Sequence, residues 1–226
     1  MHFLRQTWLI ASKDLRSELR TKEALNAALA FALVILLLLS FAFDPTAEET
    51  RRISGGLLWL IFAFAGALIL NRSFVRELTN DCLDVLVSSP VDGSALFLGK
   101  SLAGFFLLMI VELACLPVFG IFYNVAWHRQ LGPLLGVLAL GAWGLTVIGT
   151  IFSALTVNLR LRELMLPALV YPLMIPGLLA AIQLTTALVA GRPLDAELYD
   201  WLKLLVSFDI IFTALALGLA DAVLLG

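Results

Sequence analysis

Apolar residues arrive along this chain in six long blocks, at 24–43, 53–72, 94–123, 132–157, 164–190 and 201–225. Each supplies the ~20 residues that one helical crossing of a bilayer needs. Ahead of them, residues 2–21 carry a different pattern. Leu4, Trp8, Ala11, Leu15 and Leu19 recur at helical steps, opposite Arg5, Gln6, Ser12, Lys13, Arg16, Ser17 and Arg20. A basic amphipathic helix of this kind lies in the plane of a membrane interface. The polar stretch 73–92 between the second and third blocks is too apolar for a plain loop. Phe74, Leu78, Leu83, Leu86 and Val87 alternate with Arg76, Glu77, Asn80, Asp81 and Asp84. That spacing predicts a short amphipathic helix against a membrane surface or a partner. Pro90 ends it, because the residue before a proline is pushed out of the helical region, and Asp92-Gly93-Ser94 makes a turn.

Within the blocks, small residues and prolines add detail. Gly55, Gly56 and Gly66 in the second block, and Gly132, Gly136, Gly141, Gly144 and Gly149 in the fourth, suit close helix approach in lipid. Gly132 and Gly136 form a GxxxG pair. Pro117 interrupts the third block, and Pro167, Pro172 and Pro176 the fifth. Each internal proline removes a helix hydrogen bond, so 164–190 reads as a kinked helix or one ending in a re-entrant piece. The run 24–43 is longer than the 7–15 residues of a signal-peptide core, which argues against a cleaved leader.

Composition agrees with the pattern. Hydrophobic residues make up 61% of 226 and charged residues 14%, with a mean hydropathy of +0.99. A soluble domain carries roughly 25% charged residues. Six crossings put both termini on one side. That side holds Arg5, Lys13, Arg16, Arg20, Lys22, Arg72, Arg76, Lys100, Arg160 and Arg162, and the other holds Arg51, Arg52, Arg129, Arg192 and Lys203. The excess of basic residues assigns the first side, with both termini and segment 73–92, to the cytoplasm. The expected fold is an all-α polytopic membrane protein. It has six transmembrane helices in one domain over 1–226, an N-terminal interfacial elbow helix and a cytoplasmic helix between helices 2 and 3.

Chemistry is sparse. The net charge of −2 argues against nucleic acid as a partner. Cys82 and Cys115 form no metal spacing and read as packing residues. Gly99-Lys100-Ser101 resembles the tail of a phosphate-binding loop, but Ser94 stands where the motif needs glycine and the context is a membrane span. Lys100 reads instead as a snorkelling anchor, so no nucleotide site is expected on this chain. Trp127 and His128 read as an interfacial aromatic belt. Glu112 and Asp209 fall inside spans, where ionisable groups usually face a bundle interior, a partner or a cavity; Asp209 reads as partly interfacial. No Ser/His/Asp set or facing pair of aspartates supports an intramembrane enzyme.

Segment 73–92 resembles the coupling region of ABC-2-type exporter permeases. Glu77 stands for the acidic residue that precedes the coupling helix, followed by Asp81-Cys82-Leu83-Asp84, Leu86-Val87, Ser89-Pro90 and, farther on, Lys100. Asp81-Cys82 replaces the usual Gly-Thr. More narrowly the chain is similar to haem exporter protein B of cytochrome c maturation, the CcmB family. The basic elbow helix, Gly55-Gly56-Leu57-Leu58-Trp59, Asn71-Arg72-Ser73-Phe74 and Leu166-Pro167…Tyr171-Pro172-Leu173-Met174-Ile175-Pro176 carry that resemblance. It implies a multi-pass permease in the bacterial inner membrane, present in two copies. It also implies a CcmA-like cytoplasmic ATPase that holds the ATP, and CcmC-like and CcmD-like membrane subunits. The complex would supply haem to the periplasmic chaperone CcmE, with no haem held tightly by this chain. Glu77, Leu78, Asp81, Leu83, Asp84, Leu86 and Pro90 would form the contact with the ATPase. Two other readings stay open: a scaffold that moves no substrate, and an ABC-2 permease for another amphipathic molecule.

Overall fold

Backbone in lipid finds no water to bond, so runs this apolar must satisfy their amides internally, as helices do. The computed structural model describes residues 2–44, 47–73, 92–125, 127–156 and 162–224. The helices are α1 (His2–Thr21), α2 (Glu23–Ala42), α3 (Glu48–Ser73), α4 (Gly93–Phe122), α5 (Leu131–Thr156), α6 (Arg162–Val189) and α7 (Ala196–Leu224), with a 3-10 turn at Trp127–Gln130. Six of these, α2 to α7, are long and apolar enough to cross a membrane. Among the described residues there is no strand. The protein is an all-α, multi-pass membrane protein.

The helix ends explain several departures from the hydropathy pattern. The polar stretch 44–52 is largely helical from Glu48, and Glu48 pairs with Arg52 one turn on, at 2.6 Å. α7 begins at Ala196, five residues before its apolar block. Asp195 starts it by accepting the Leu198 amide at 3.0 Å. That bond, with Arg192 beside it, holds the Asp195 carboxyl below the ordinary carboxylate range. The cap is therefore present at neutral pH and is lost as pH falls through that lowered value. α4 runs through Pro117. α6 is one continuous helix through Pro167, Pro172 and Pro176, so the re-entrant alternative for 164–190 does not hold.

α1 and α2 meet at an elbow. Lys22 adopts φ 57° between them, and Glu18 Oε1 accepts the amides of Ala24 and Leu25 at 2.7 and 3.0 Å. Glu18 thus does for α2 what a capping side chain normally does. α1 turns Leu4 and Trp8 outward, 73% and 61% exposed, and rests on α4 through Thr7 and Ala11.

The crossing helices alternate in direction. Ser73, Gly93, Thr156, Arg162 and Leu224 therefore mark one end of the bundle, called proximal below. Close approaches of backbone hold the helices together. A Cβ at position 55 would stand 2.6 Å from the Ile182 carbonyl and 2.8 Å from the Thr186 amide nitrogen, so α3 and α6 touch there backbone to backbone. The Trp59 ring packs into the notch at Gly141 of α5, and its Nε1 donates to Thr185 Oγ1 of α6 at 2.9 Å. Tyr171 Oη donates to the Ala63 carbonyl at 3.0 Å. Trp143 Nε1 donates to Thr213 Oγ1 of α7 at 3.0 Å. At the opposite end, Gln130 Nε2 donates to the Arg192 carbonyl at 2.7 Å.

The GxxxG pair does not take part. A Cβ on Gly132 or Gly136 would meet nothing within 4 Å, so within this chain the pair seats no neighbouring helix. Both lie on the exposed face of α5, while Leu134 and Val137 beside them are buried, and sequence spacing alone does not show which face a helix turns inward.

The contrast is testable. Gly55→Ala drives a methyl into immovable backbone and should destabilise the fold by about 1–3 kcal/mol. Gly132→Ala should be neutral or stabilise by up to about 1 kcal/mol, since alanine is the better helix former. Thermal unfolding of both variants in one detergent checks the pair.

Candidate coupling site at the base of segment 73–92

The residues read as ATPase contacts, Glu77, Leu78, Asp81, Leu83, Asp84, Leu86 and Pro90, lie outside the described residues. The base on which that segment stands is described in full. α3 delivers the chain to Ser73. α4 takes it up from Asp92, whose carbonyl accepts the amides of Ala95 and Leu96 at 2.9 and 3.0 Å. The first turn of α4 is seated on the last turns of α7. A Cβ on Gly93 would meet Asp221 Oδ1 at 2.6 Å, and Ser94 Oγ donates to the Leu217 carbonyl at 3.3 Å.

Two turns along α4 lies Gly99-Lys100-Ser101, and each residue has a structural role. Gly99 lets α1 approach. A Cβ there would fall 2.7 Å from Ile10 Cβ and 2.9 Å from the Thr7 carbonyl. The Lys100 side chain is 0% exposed, and its Nζ lies 3.2 Å from Asp14 Oδ2 of α1, which is 21% exposed. Nζ also donates to the Ser73 carbonyl at 3.0 Å. Ser101 is buried. The expectation of a snorkelling Lys100 is therefore wrong. Snorkelling needs a path to water for the ammonium, and α1 lies across that path.

Lys100 thus joins three helices at one point: α1 through Asp14, α3 through its last residue, and α4 itself. Asp14 also meets Lys13 Nζ at 3.1 Å. Nearby, Arg72 pairs with Glu23 of α2 at 3.2 Å, in the open. Beside this junction is a cleft of about 220 Å³. Its walls include Lys13, Asp14, Ser17, Arg72 and Ser73, and its floor Ile69, Leu70, Ala103 and Leu107. Gly104 approaches Thr146, and Ser153 Oγ donates to the Leu70 carbonyl at 2.8 Å.

The two intramembrane acids stand apart from this site. Glu112 is fully buried, and neither carboxyl oxygen has a hydrogen-bond partner. It shares the inward face of α4 with Cys115 and Phe119, and just past the end of α4 stands Tyr123, all buried. The rings of the last two stack at 4.5 Å. Asp209 is also buried with both oxygens unpartnered. Its Oδ1 lies 2.6 Å from where a Cβ on Gly144 would be. The reading of Asp209 as partly interfacial is corrected. Because α7 starts at Ala196, Asp209 sits ~20 Å along the helix, near its middle. Trp127 packs on Gly120 and meets His128 edge-on at 6.2 Å, at the end of the bundle away from the cleft. Among the described residues, no group of three His, Cys, Asp or Glu side chains is placed to hold a metal.

The family model described as CcmB protein matches residues 5–224. The chain belongs to the CcmB family. Curated relatives of this CcmB-family chain include the heme exporter protein B of Rhodobacter capsulatus, 31% identical over 84% of this chain and 86% of the relative. That of Paracoccus denitrificans is 30% identical over 83% and 86%. That of Pseudomonas aeruginosa is 28% identical over 95% and 96%. The CcmB match takes in α1 from Arg5 and all six crossings. Sequence reasoning pointed to Lys100 but not to its partner. Asp14 and Glu18 lie among charged residues of an amphipathic helix, where nothing in spacing separates a buried acid from a solvated one.

Two substitutions test this geometry. Asp14→Ala strips an ion partner from a buried ammonium and should destabilise by about 3–5 kcal/mol. Glu112→Leu removes two buried, unpartnered oxygens and should stabilise by about 1–3 kcal/mol. Detergent-solution melting curves measure both, and a less stable Glu112→Leu protein would contradict the unpartnered geometry.

Proposed function

We propose that this chain is the permease subunit of an ABC transporter complex for cytochrome c maturation. It couples ATP hydrolysis on a separate subunit to haem export or to release of haem-loaded chaperone. Family membership over residues 5–224 carries this reading, and the relatives are named heme exporter protein B. The chain lies in a bacterial inner membrane with both termini in the cytoplasm, the side that its basic residues favour. ATP resides on a CcmA-like ATPase. CcmC-like and CcmD-like membrane subunits, and a second copy of this chain, complete the complex.

The mechanism follows from what segment 73–92 is attached to. Glu77, Asp81 and Asp84 meet basic residues of the ATPase, while Leu78, Leu83 and Leu86 pack into its groove and Pro90 terminates the docking helix. Closure of the ATPase on nucleotide displaces the segment. Its two ends are the last residue of α3 and the first turn of α4, and α4 is in turn seated on α7, so force enters three crossing helices at the proximal end. Helices couple well to such a push because backbone bonds make each a stiff rod.

A scaffold that moves no substrate is the second reading. It is favoured by the filled mid-depth interior, where Trp59, Phe62 and Leu108 are fully buried and the cleft lies at one end. Nucleotide-dependent haem flux into vesicles supports the permease, and release of haem-loaded chaperone without flux supports the scaffold.

Leu83→Arg and Leu86→Arg each place a charge in the apolar stripe of the docking helix. Each should weaken co-purification of the ATPase by at least about tenfold, as expected for a disrupted interface centre. Retention of the ATPase with full activity in both variants would show that segment 73–92 is not the coupling site.

A further inference from the structure

Helix α1 packs along α4 and meets α2 at the elbow. The contact with α4 is close enough that position 99 admits no side chain: a Cβ would meet the Thr7 carbonyl at 2.9 Å. Leu4 and Trp8 on its other face point away from the protein, toward the lipid surface in which a basic amphipathic helix rests. Lys100 then ties Asp14 of α1 to the Ser73 carbonyl at 3.2 and 3.0 Å. Ser73 is the residue from which segment 73–92 departs, and Lys100 lies two turns beyond the point where it returns. At its far end α1 grips α2, through Glu18 and the amides of Ala24 and Leu25 at 2.7 and 3.0 Å.

We infer that Lys100 is a positioning residue that makes α1 a second output of segment 73–92, so that a displacement of the segment's base carries α1 along the membrane surface and pulls on the first turn of α2. The inference rests on the proposed coupling role of 73–92 and extends it to helices that do not adjoin the segment in sequence. Two properties of the junction support it. The ammonium is completely buried and Asp14 is 21% exposed, so the bond between them is screened less than a surface pair would be. The same ammonium bonds the main chain of α3, so it follows the backbone at the root of the segment rather than a side chain.

The test uses the full complex of this chain with its co-purifying ATPase. Amide hydrogen exchange is followed with and without a non-hydrolysable ATP analogue. In the unaltered complex the analogue should change exchange both in 73–92 and in α1 with the first turn of α2. Asp14→Ala should cut the α1 response by at least about fivefold, the low end of measured coupling factors, and leave the 73–92 response in place. Because Asp14→Ala strands a buried charge and can fail to fold, Asp14→Ala with Lys100→Met is run beside it. Replacing both partners of a buried pair by apolar groups is often neutral in stability. Asp14→Glu should retain the response. A purely structural ion pair would alter melting temperature but not the ratio of the two responses. The inference is overturned if α1 responds undiminished in the double variant, or if 73–92 responds and α1 does not in the unaltered complex. If neither region responds although the ATPase is bound, the coupling reading of 73–92 fails first, and this inference with it.

Discussion

A lysine ammonium held out of water is tolerable only where its partners cannot leave, and the proximal end of this protein is organised around that condition. Lys100 has Asp14 on one side and a main-chain carbonyl on the other. Both partners are fixed by packing: Asp14 because α1 lies backbone-close on Gly99, Ser73 because α3 is locked against α5 through Leu70 and Ser153. The exposed pairs Glu48–Arg52 and Asp200–Lys203 have shorter distances and far less consequence, since water and salt screen them and their side chains are free to part. Burial, not distance, separates a pair that positions helices from one that decorates a surface.

Elsewhere the bundle cannot rely on the hydrophobic effect, because lipid is as apolar as the side chains it would replace. Cohesion comes from shape and from hydrogen bonds that have no competitor. Gly55 lets two backbones meet, Gly141 receives an indole, and Gly144 receives a carboxyl. Trp59 packs on α5 and donates to α6, Trp143 packs on Phe105 of α4 and donates to α7, and Tyr171 of α6 both packs on Phe64 and donates to Ala63 of α3. In this way α3, α5, α6 and α7 are joined by polar contacts as well as by packing. The hydroxyls of Thr146 and Thr156 turn back on their own helix instead, as threonines in apolar surroundings do when no neighbour offers a better acceptor.

The functional reading gains from the contrast between the two kinds of buried charge. At the proximal end, charges are paired across helices and surround the root of the segment that would receive force. In mid-bundle, Glu112 and Asp209 are enclosed without partners, which carries a desolvation penalty and offers no cross-link. The CcmB-family chain has polar attachments across helices where α1, α3 and α4 converge.

The six apolar blocks, the amphipathic elbow and the all-helical class were legible in the sequence because each rests on local periodicity, and lipid leaves a long apolar run no alternative to a helix. What neighbours each residue was not. The sequence offered Gly132 and Gly136 as a packing pair and Lys100 as a side chain reaching for water. The tertiary structure leaves the glycines clear of every helix and buries the lysine under α1. It also enclosed Asp209 within the bundle, against Gly144 of α5, rather than at an interface. Periodicity determines that a helix forms and roughly how long it is. Which face meets a neighbour, and whether a charge finds its partner some 86 residues away, depends on how the helices are set against one another, and that only the folded bundle decides.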